Sequence, residues 1–215
     1  ATAIAHLIEA ERVILWKDVP GIFRINPRWG IRSNTMPYLT YQEAIELSLM
    51  DTPVLHPSTI EPLIEPEIQL EVRHLYHANV DQKTVIGPAT LQKQLKAVGC
   101  LPNVISLGFS HHHVDSHQRQ LVKILGELAQ NEVHWWGLES RLGDSRLIVS
   151  QHDIHRAASI FDRFDIKANH HHHLGLLSLI GCKESDMSAI DALFKSTEYE
   201  LTWLNNTNSA ARVAI

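Results

Sequence analysis

This chain of 215 residues lacks most of the features that would settle a function at once. No apolar stretch approaches the ~20 residues that a bilayer span requires. The first residues also lack a basic segment followed by a short apolar core. Neither a membrane protein nor a secreted one is expected, and the expected location is cytoplasmic. Cysteine is scarce: Cys100 and Cys182 stand far apart without CxxC spacing. That argues against a disulfide framework or a cysteine zinc site and fits two buried thiols in a reducing compartment. There is no excess of positive charge. A formal net charge of -5 gives no long-range attraction to nucleic acid or anionic lipid, so any recognition of phosphate must be local. What the chain does have is 44% hydrophobic residues, enough for the cores of one large domain or two small ones.

The chain begins without Met on ATAIAHLIEAE, where Ile4, Leu7 and Ile8 have helical spacing, and it reads as a fragment starting inside a helix. Residues 12–16 are a β-branched run of buried-strand type. Val19-Pro20-Gly21-Ile22 then supplies the proline and glycine of a type II turn. Asp18 therefore ends a strand, at the edge where open α/β sheets bind ligands. Thr40-Tyr41-Gln42-Glu43 is a capping box that opens a helix ending near Met50. A short helix is expected over residues 59–64. Ile68, Leu70 and Val72 alternate with Gln69, Glu71 and Arg73, predicting a strand with one buried face. Residues 78–89 show no periodicity and suggest a boundary.

Beyond it the pattern changes. Strands are expected over residues 104–109, 133–138 and 146–149, with helices over 117–130 and 154–164. This strand-helix-strand-strand-helix order is that of a ferredoxin-like unit. Residues 176–180, 188–195, 201–204 and 210–215 begin the same order again as strand, helix, strand, strand, an internal repeat that stops before its last helix and strand.

In order and spacing, AERVILWKDVPGIFRINPR, LTYQEAIELS, VLHPSTIEPLIE and KTVIG resemble the nucleotide-binding half of the aspartokinases, a family in which tandem ACT modules follow. The resemblance implies an α/β fold: a partial amino-acid-kinase layered domain followed by two ferredoxin-like (ACT) α+β units. The kinase portion would be residues 1–88, a linker with a crossing strand 89–101, the first ACT unit 102–168 and a truncated second one 169–215. Aspartokinases transfer the γ-phosphate of Mg-ATP to the side-chain carboxylate of L-aspartate. The resemblance assigns ATP contacts to Trp16, Lys17, Asp18, Phe23 and Arg28, with Asp18 and the backbone near the adenosine and Arg28 on the phosphates. A guanidinium fork suits phosphate oxygens. The chain departs from the family at two of these places and at a third ATP position, Pro53. Lys17 replaces the usual threonine, Phe23 the common tyrosine, and Pro53 a phosphate-binding lysine. The family's other phosphate and aspartate loops would lie upstream of Ala1, so no catalytic residue is assigned and the fragment alone is not expected to turn over.

In the ACT region the resemblance places a small amino-acid effector, such as lysine or threonine, between the first strand-helix loop and the next strand. Val114, Ser116, His117, Val133 and His134 would line it. Residues 93–100 resemble the strand that crosses to complete the second ACT sheet, and a homodimer through ACT sheet edges is implied. His111 to His113 with His117, His152 with His155, and His170 to His173 invite a metal reading. Uninterrupted histidine runs are a compositional signal more than a site geometry, so they are assigned to loops and no metal is expected. The alternative function is a non-catalytic, amino-acid-binding ACT module carrying a degenerate kinase remnant.

Overall fold

The computed structural model describes residues 1–50, 55–76, 82–89, 94–110, 113–172, 175–207 and 210–215, without the side chains of Val114, Asn205 and Asn206. The chain divides into two compact units. The first is built from Ala1–Cys100, Leu177–Glu198 and Asn206–Ala211, the second from Leu101–Leu176, Tyr199–Asn205 and Arg212–Ile215.

The first unit opens with α1 (Thr2–Leu7) and β1 (Arg12–Lys17). The stripe Ile4, Leu7 and Ile8 faces solvent, at 62%, 79% and 69% exposure. Thr2 and Ala5 are buried in its place, because α1 approaches the turns of residues 57–63 through its small side chains. β1 pairs in parallel with β3 (Gln69–His74), which pairs antiparallel with β4 (Lys83–Gly87), which pairs in parallel with β2 (Tyr38–Thr40). The sheet order is β1-β3-β4-β2. β4 lies within the stretch that looked aperiodic: Val85 and Ile86 are too short a run to signal a strand without the neighbours that pair with them.

The capping box forms as expected. The Thr40 hydroxyl accepts from the Glu43 N–H, the Glu43 carboxylate accepts from the Thr40 N–H, and α2 (Tyr41–Ser48) follows. A short α3 (Pro57–Ile60) runs into a 3-10 turn, Glu61–Leu63. Leu39, Ala44, Leu47, Ile60, Leu63, Leu70, Val72 and Ile86 form the core of this layer.

β5 (Ala97–Pro102) pairs beside β10 (Gly175–Ile180) at one end of a sheet that continues with β12 (Ala210–Ala214) and β11 (Thr202–Asn206), in the order β11-β12-β10-β5. α6 (Glu184–Phe194) lies between β10 and β11 in sequence and starts a turn earlier than its periodicity suggested. Asp186 explains the start, accepting from the Lys183 N–H at 2.9 Å.

The second unit contains β6 (Val104–Ser110), α4 (Val114–Gln130), β7 (Trp135–Arg141), β8 (Asp144–Ser150), α5 (Ile154–Arg163) and β9 (Asn169–His172). With the order β7-β8-β6-β9 and antiparallel pairs, this is the ferredoxin-like arrangement. Ile105, Leu107, Phe109, Ile124, Leu128, Leu147, Val149 and Phe161 fill its core. Both helices end on a left-handed acidic residue, Glu132 (φ 55) and Asp165 (φ 56). The next N–H reaches back across the last turn, from Val133 to the Leu128 carbonyl and from Ile166 to the Phe161 carbonyl. Val133 is thereby held in a helix stop, which is why β7 starts two residues later than expected.

The histidine run at 170–172, expected in a loop, is an edge strand in the structure. His170, His171 and His172 of β9 stand opposite Leu107, Ser106 and Ile105 of β6. Partners on a central strand, not β-propensity, decide this. His173, like His111 and His112, lies outside the described residues.

Candidate functional site

The corner of residues 16–28 is built at the carboxyl ends of two parallel strands. Trp16 and Lys17 stand opposite Arg73 and His74, and the Leu75 N–H donates to the Lys17 carbonyl at 2.7 Å. Trp16 is 44% exposed and Asp18 is exposed beside it. Gly21 has φ 155 instead of the roughly +80° of a type II turn. A Cβ at Gly21 would stand 2.5 Å from Thr84 Oγ1 on β4, so the turn admits no side chain there. That hydroxyl accepts from the Ile22 N–H at 2.8 Å and donates to the Met36 carbonyl at 2.6 Å. The corner is therefore fastened to the sheet through one buried hydroxyl.

From Ile22 the chain runs out beside residues 33–36 on its return. The Met36 N–H donates to the Ile22 carbonyl, Phe23 bridges Thr35, and the Arg24 N–H donates to the Asn34 carbonyl. At the tip the Asn26 side chain accepts from the Arg28 N–H at 3.0 Å and caps a 3-10 turn, Pro27–Trp29. Phe23 is half-buried, Lys17 half-buried and Arg28 exposed. Asp18 and Arg28 form no ion pair with each other or with any other described residue. Pro53 lies outside the described residues.

Glu71 departs from the alternation that placed it outward, for it is 3% exposed. Its carboxylate accepts from Arg73 Nε and from Lys83 Nζ at 2.9 Å, with Arg12 Nη1 4.0 Å away. Burial alone would raise its pKa, but the hydrogen bonds and charges of Lys83 and Arg73 outweigh it and hold the carboxyl below the ordinary glutamate value. On α2, burial pushes the Tyr41 hydroxyl up to about 12, aided by Tyr38 and Glu67.

In the second unit His117 is buried, at 1% exposure, with its ring 4.8 Å from that of Phe109. Its Nε2 lies 2.8 Å from Ser145 Oγ, which in turn lies 2.9 Å from Ser140 Oγ, a chain of hydrogen bonds. Nδ1 of His117 has no partner among the described residues. Val133 is buried in the same core, Ser116 is half-buried and His134 is exposed. Two of the residues read as an effector lining thus pack inside the fold. The side chain of Val114 is not among those described. No group of three His, Cys, Asp or Glu gathers as metal ligands among the described residues. No described helix is long and apolar enough to cross a membrane.

Residues that spacing did not reveal are Thr84, Arg24, Lys96 and the carboxylate of Glu43 beyond its capping role. Lys96 Nζ lies 2.7 Å from Glu43 Oε2, both side chains nearly buried. Their contacts join positions 48 or more residues apart, and no local pattern encodes them.

Fold and corner together describe an α/β layer with an exposed turn at its strand ends, followed by ferredoxin-like topology. Residues 1–74 match the sequence model of the amino acid kinase family. Aspartokinase 1, chloroplastic, of Arabidopsis thaliana is 36% identical over 77 residues, 36% of this chain and 14% of that protein. The bifunctional aspartokinase/homoserine dehydrogenase of Buchnera aphidicola subsp. Acyrthosiphon pisum (strain APS) is 24% identical over 197 residues, 84% of this chain and 24% of that protein. E. coli aspartokinase III, solved in complex with aspartate and ADP, superposes with a TM-score of 0.81 at 21% identity, covering 100% of this chain and 51% of that one. The chain is similar to these aspartokinases and spans a quarter or less of the two curated relatives and about half of the solved one.

Proposed function

We propose that the chain is the nucleotide-binding and regulatory portion of an aspartate kinase, an enzyme that phosphorylates the side-chain carboxylate of L-aspartate from Mg-ATP. The observation that carries this reading is the corner of residues 16–28, built where β1 and β3 end in parallel, within the stretch that matches the amino acid kinase family. Trp16 offers an exposed aromatic face, Asp18 a free carboxylate and Arg28 a free guanidinium, groups that suit an adenosine and its phosphates. Mg-ATP, when bound, supplies the phosphoryl group and the metal's neutralisation of its charge. The protein's part here is to orient the nucleotide and screen its oxygens. Acceptor binding and catalysis would belong to parts of the fold that this chain does not span.

The domain plan that supports the proposal is a kinase portion over residues 1–88, a crossing strand within 89–101, an ACT unit over 102–168 and part of a second over 169–215. An amino-acid effector such as lysine or threonine would act through the ACT units, and two copies would pair through their sheet edges. A second reading has Pro53 in its favour, since proline cannot supply the cation found there in the family. On that reading the chain is an amino-acid-binding regulatory module without catalysis. Calorimetric titration with Mg-ATP, lysine and threonine in turn separates the two. Heat from Mg-ATP that is abolished by Arg28→Ala supports the kinase reading. Heat from an amino acid alone supports the module, and silence from all three refutes both.

A further inference from the structure

Lys96 is a three-way junction inside the first unit. Its N–H donates to the Ile180 carbonyl of β10 at 2.8 Å, and its carbonyl accepts from Arg24 Nη1 at 3.0 Å. Its ammonium meets Glu43 Oε2 at 2.7 Å. The same Glu43 oxygen accepts from the Thr40 N–H at the start of α2. Two residues on, the Val98 N–H donates to the Arg24 carbonyl at 2.9 Å. Arg24 is therefore held at both ends, by its guanidinium and by its carbonyl, against one short stretch of chain leading into β5.

We infer that Arg24 is a positioning residue for the nucleotide corner, and that through Lys96 it ties the setting of that corner to the β5–β10 sheet. Three observations favour a rigid connection. The Glu43 and Lys96 side chains are 7% and 11% exposed, so the ion pair is little screened by solvent. Gly181, directly after β10, comes so close to the Gln94 carbonyl that an added Cβ would stand 2.2 Å from it, leaving no room to slide. Ser178 Oγ on β10 donates to Glu46 Oε1 on α2 at 2.6 Å, a second fastening between that strand and the helix. A shift of β10 against α2 must then strain Lys96, and Arg24 with it. Arg24 lies four residues from Arg28 and two from Ile22, inside the corner itself. The inference deepens the nucleotide reading and rests on it.

The test uses the 215-residue chain and Arg24→Met, which keeps an apolar stem and removes the donors, with Arg24→Lys as the conservative variant. Amide hydrogen exchange is followed over residues 22–28, at Val98 and along β3. Mg-ATP affinity is measured by calorimetry. Arg24→Met is expected to speed exchange over 22–28 and at Val98 by about tenfold, the scale of one lost hydrogen bond, with β3 unchanged. Mg-ATP should bind about five- to tenfold more weakly, and Arg24→Lys should recover part of both losses. Unchanged exchange over 22–28 overturns the inference. So does altered exchange with Mg-ATP affinity kept within twofold, since Arg24 would then be structural only. If the unaltered chain binds no Mg-ATP, the nucleotide reading falls on its own account, and the exchange measurement still decides whether Lys96 and Arg24 set the corner.

Discussion

Replacing Thr84 with valine removes one hydroxyl and leaves the side chain's shape nearly unchanged. The residue is wholly buried. Its Oγ1 satisfies two backbone groups, the Ile22 N–H at 2.8 Å and the Met36 carbonyl at 2.6 Å. In Thr84→Val both lose this partner inside a low-dielectric layer. Each buried group left unpaired costs about 1–3 kcal/mol, and a carbonyl tolerates the loss better than an N–H. The sum is about 2–4 kcal/mol, a large part of the ~5–15 kcal/mol that holds a domain together. Thr84→Ser keeps the hydroxyl and loses one methyl, which costs about 1 kcal/mol in a packed site. Urea unfolding followed by tryptophan fluorescence measures both, with Trp16 and Trp29 flanking the corner as reporters. The order expected is wild type, then serine, then valine as the least stable. A valine variant within about 0.5 kcal/mol of wild type would refute the fastening of the corner through this hydroxyl, as would a serine variant equally destabilised.

Two further perturbations probe features that the fold created. The folded carboxyl of Glu71 titrates below its ordinary value of 4.5, so its stabilising contribution is fully present above that value and is lost as pH falls through the depressed folded one. The stability gap between wild type and Glu71→Gln, measured by urea unfolding, should therefore be constant at neutral pH and close in acid. A gap that widens in acid would show the sign to be wrong. Asp165 ends α5 at φ 56, where a side chain is strained and glycine is not. Asp165→Gly should stabilise the protein by about 0.5–1 kcal/mol, read as a raised thermal midpoint.

The apolar run of β1, the capping box of α2 and the βαββα order of the second unit follow local rules, and each forms, with the ends of α4 and β7 shifted by two or three residues. Helix ends were harder to read, because among the described residues glycine, the usual left-handed stop, closes only the 3-10 turn at Gly30. Glu9, Glu67, Glu132 and Asp165 carry the positive φ instead, and an acidic residue in a sequence announces nothing of the kind. The candidate corner was legible as a set of residue types in order. Its construction was not: nothing at Thr84 advertises that its hydroxyl fastens a turn sixty residues earlier, and Arg24 and Lys96 meet across more than seventy.

Local chemistry thus determined most of the helices and strands, β4 and β9 excepted, the turns at Pro20-Gly21 and Asn26-Pro27, and which side chains the corner can offer a ligand. Tertiary structure alone decided that a run of histidines becomes an edge strand, that Glu71 is drawn inside among three cations, and that His117 joins an aromatic core. The physical reason is that a strand's pairing, a carboxylate's burial and a histidine's surroundings depend on partners far away in the chain. Spacing along the sequence records only the neighbours within a few residues.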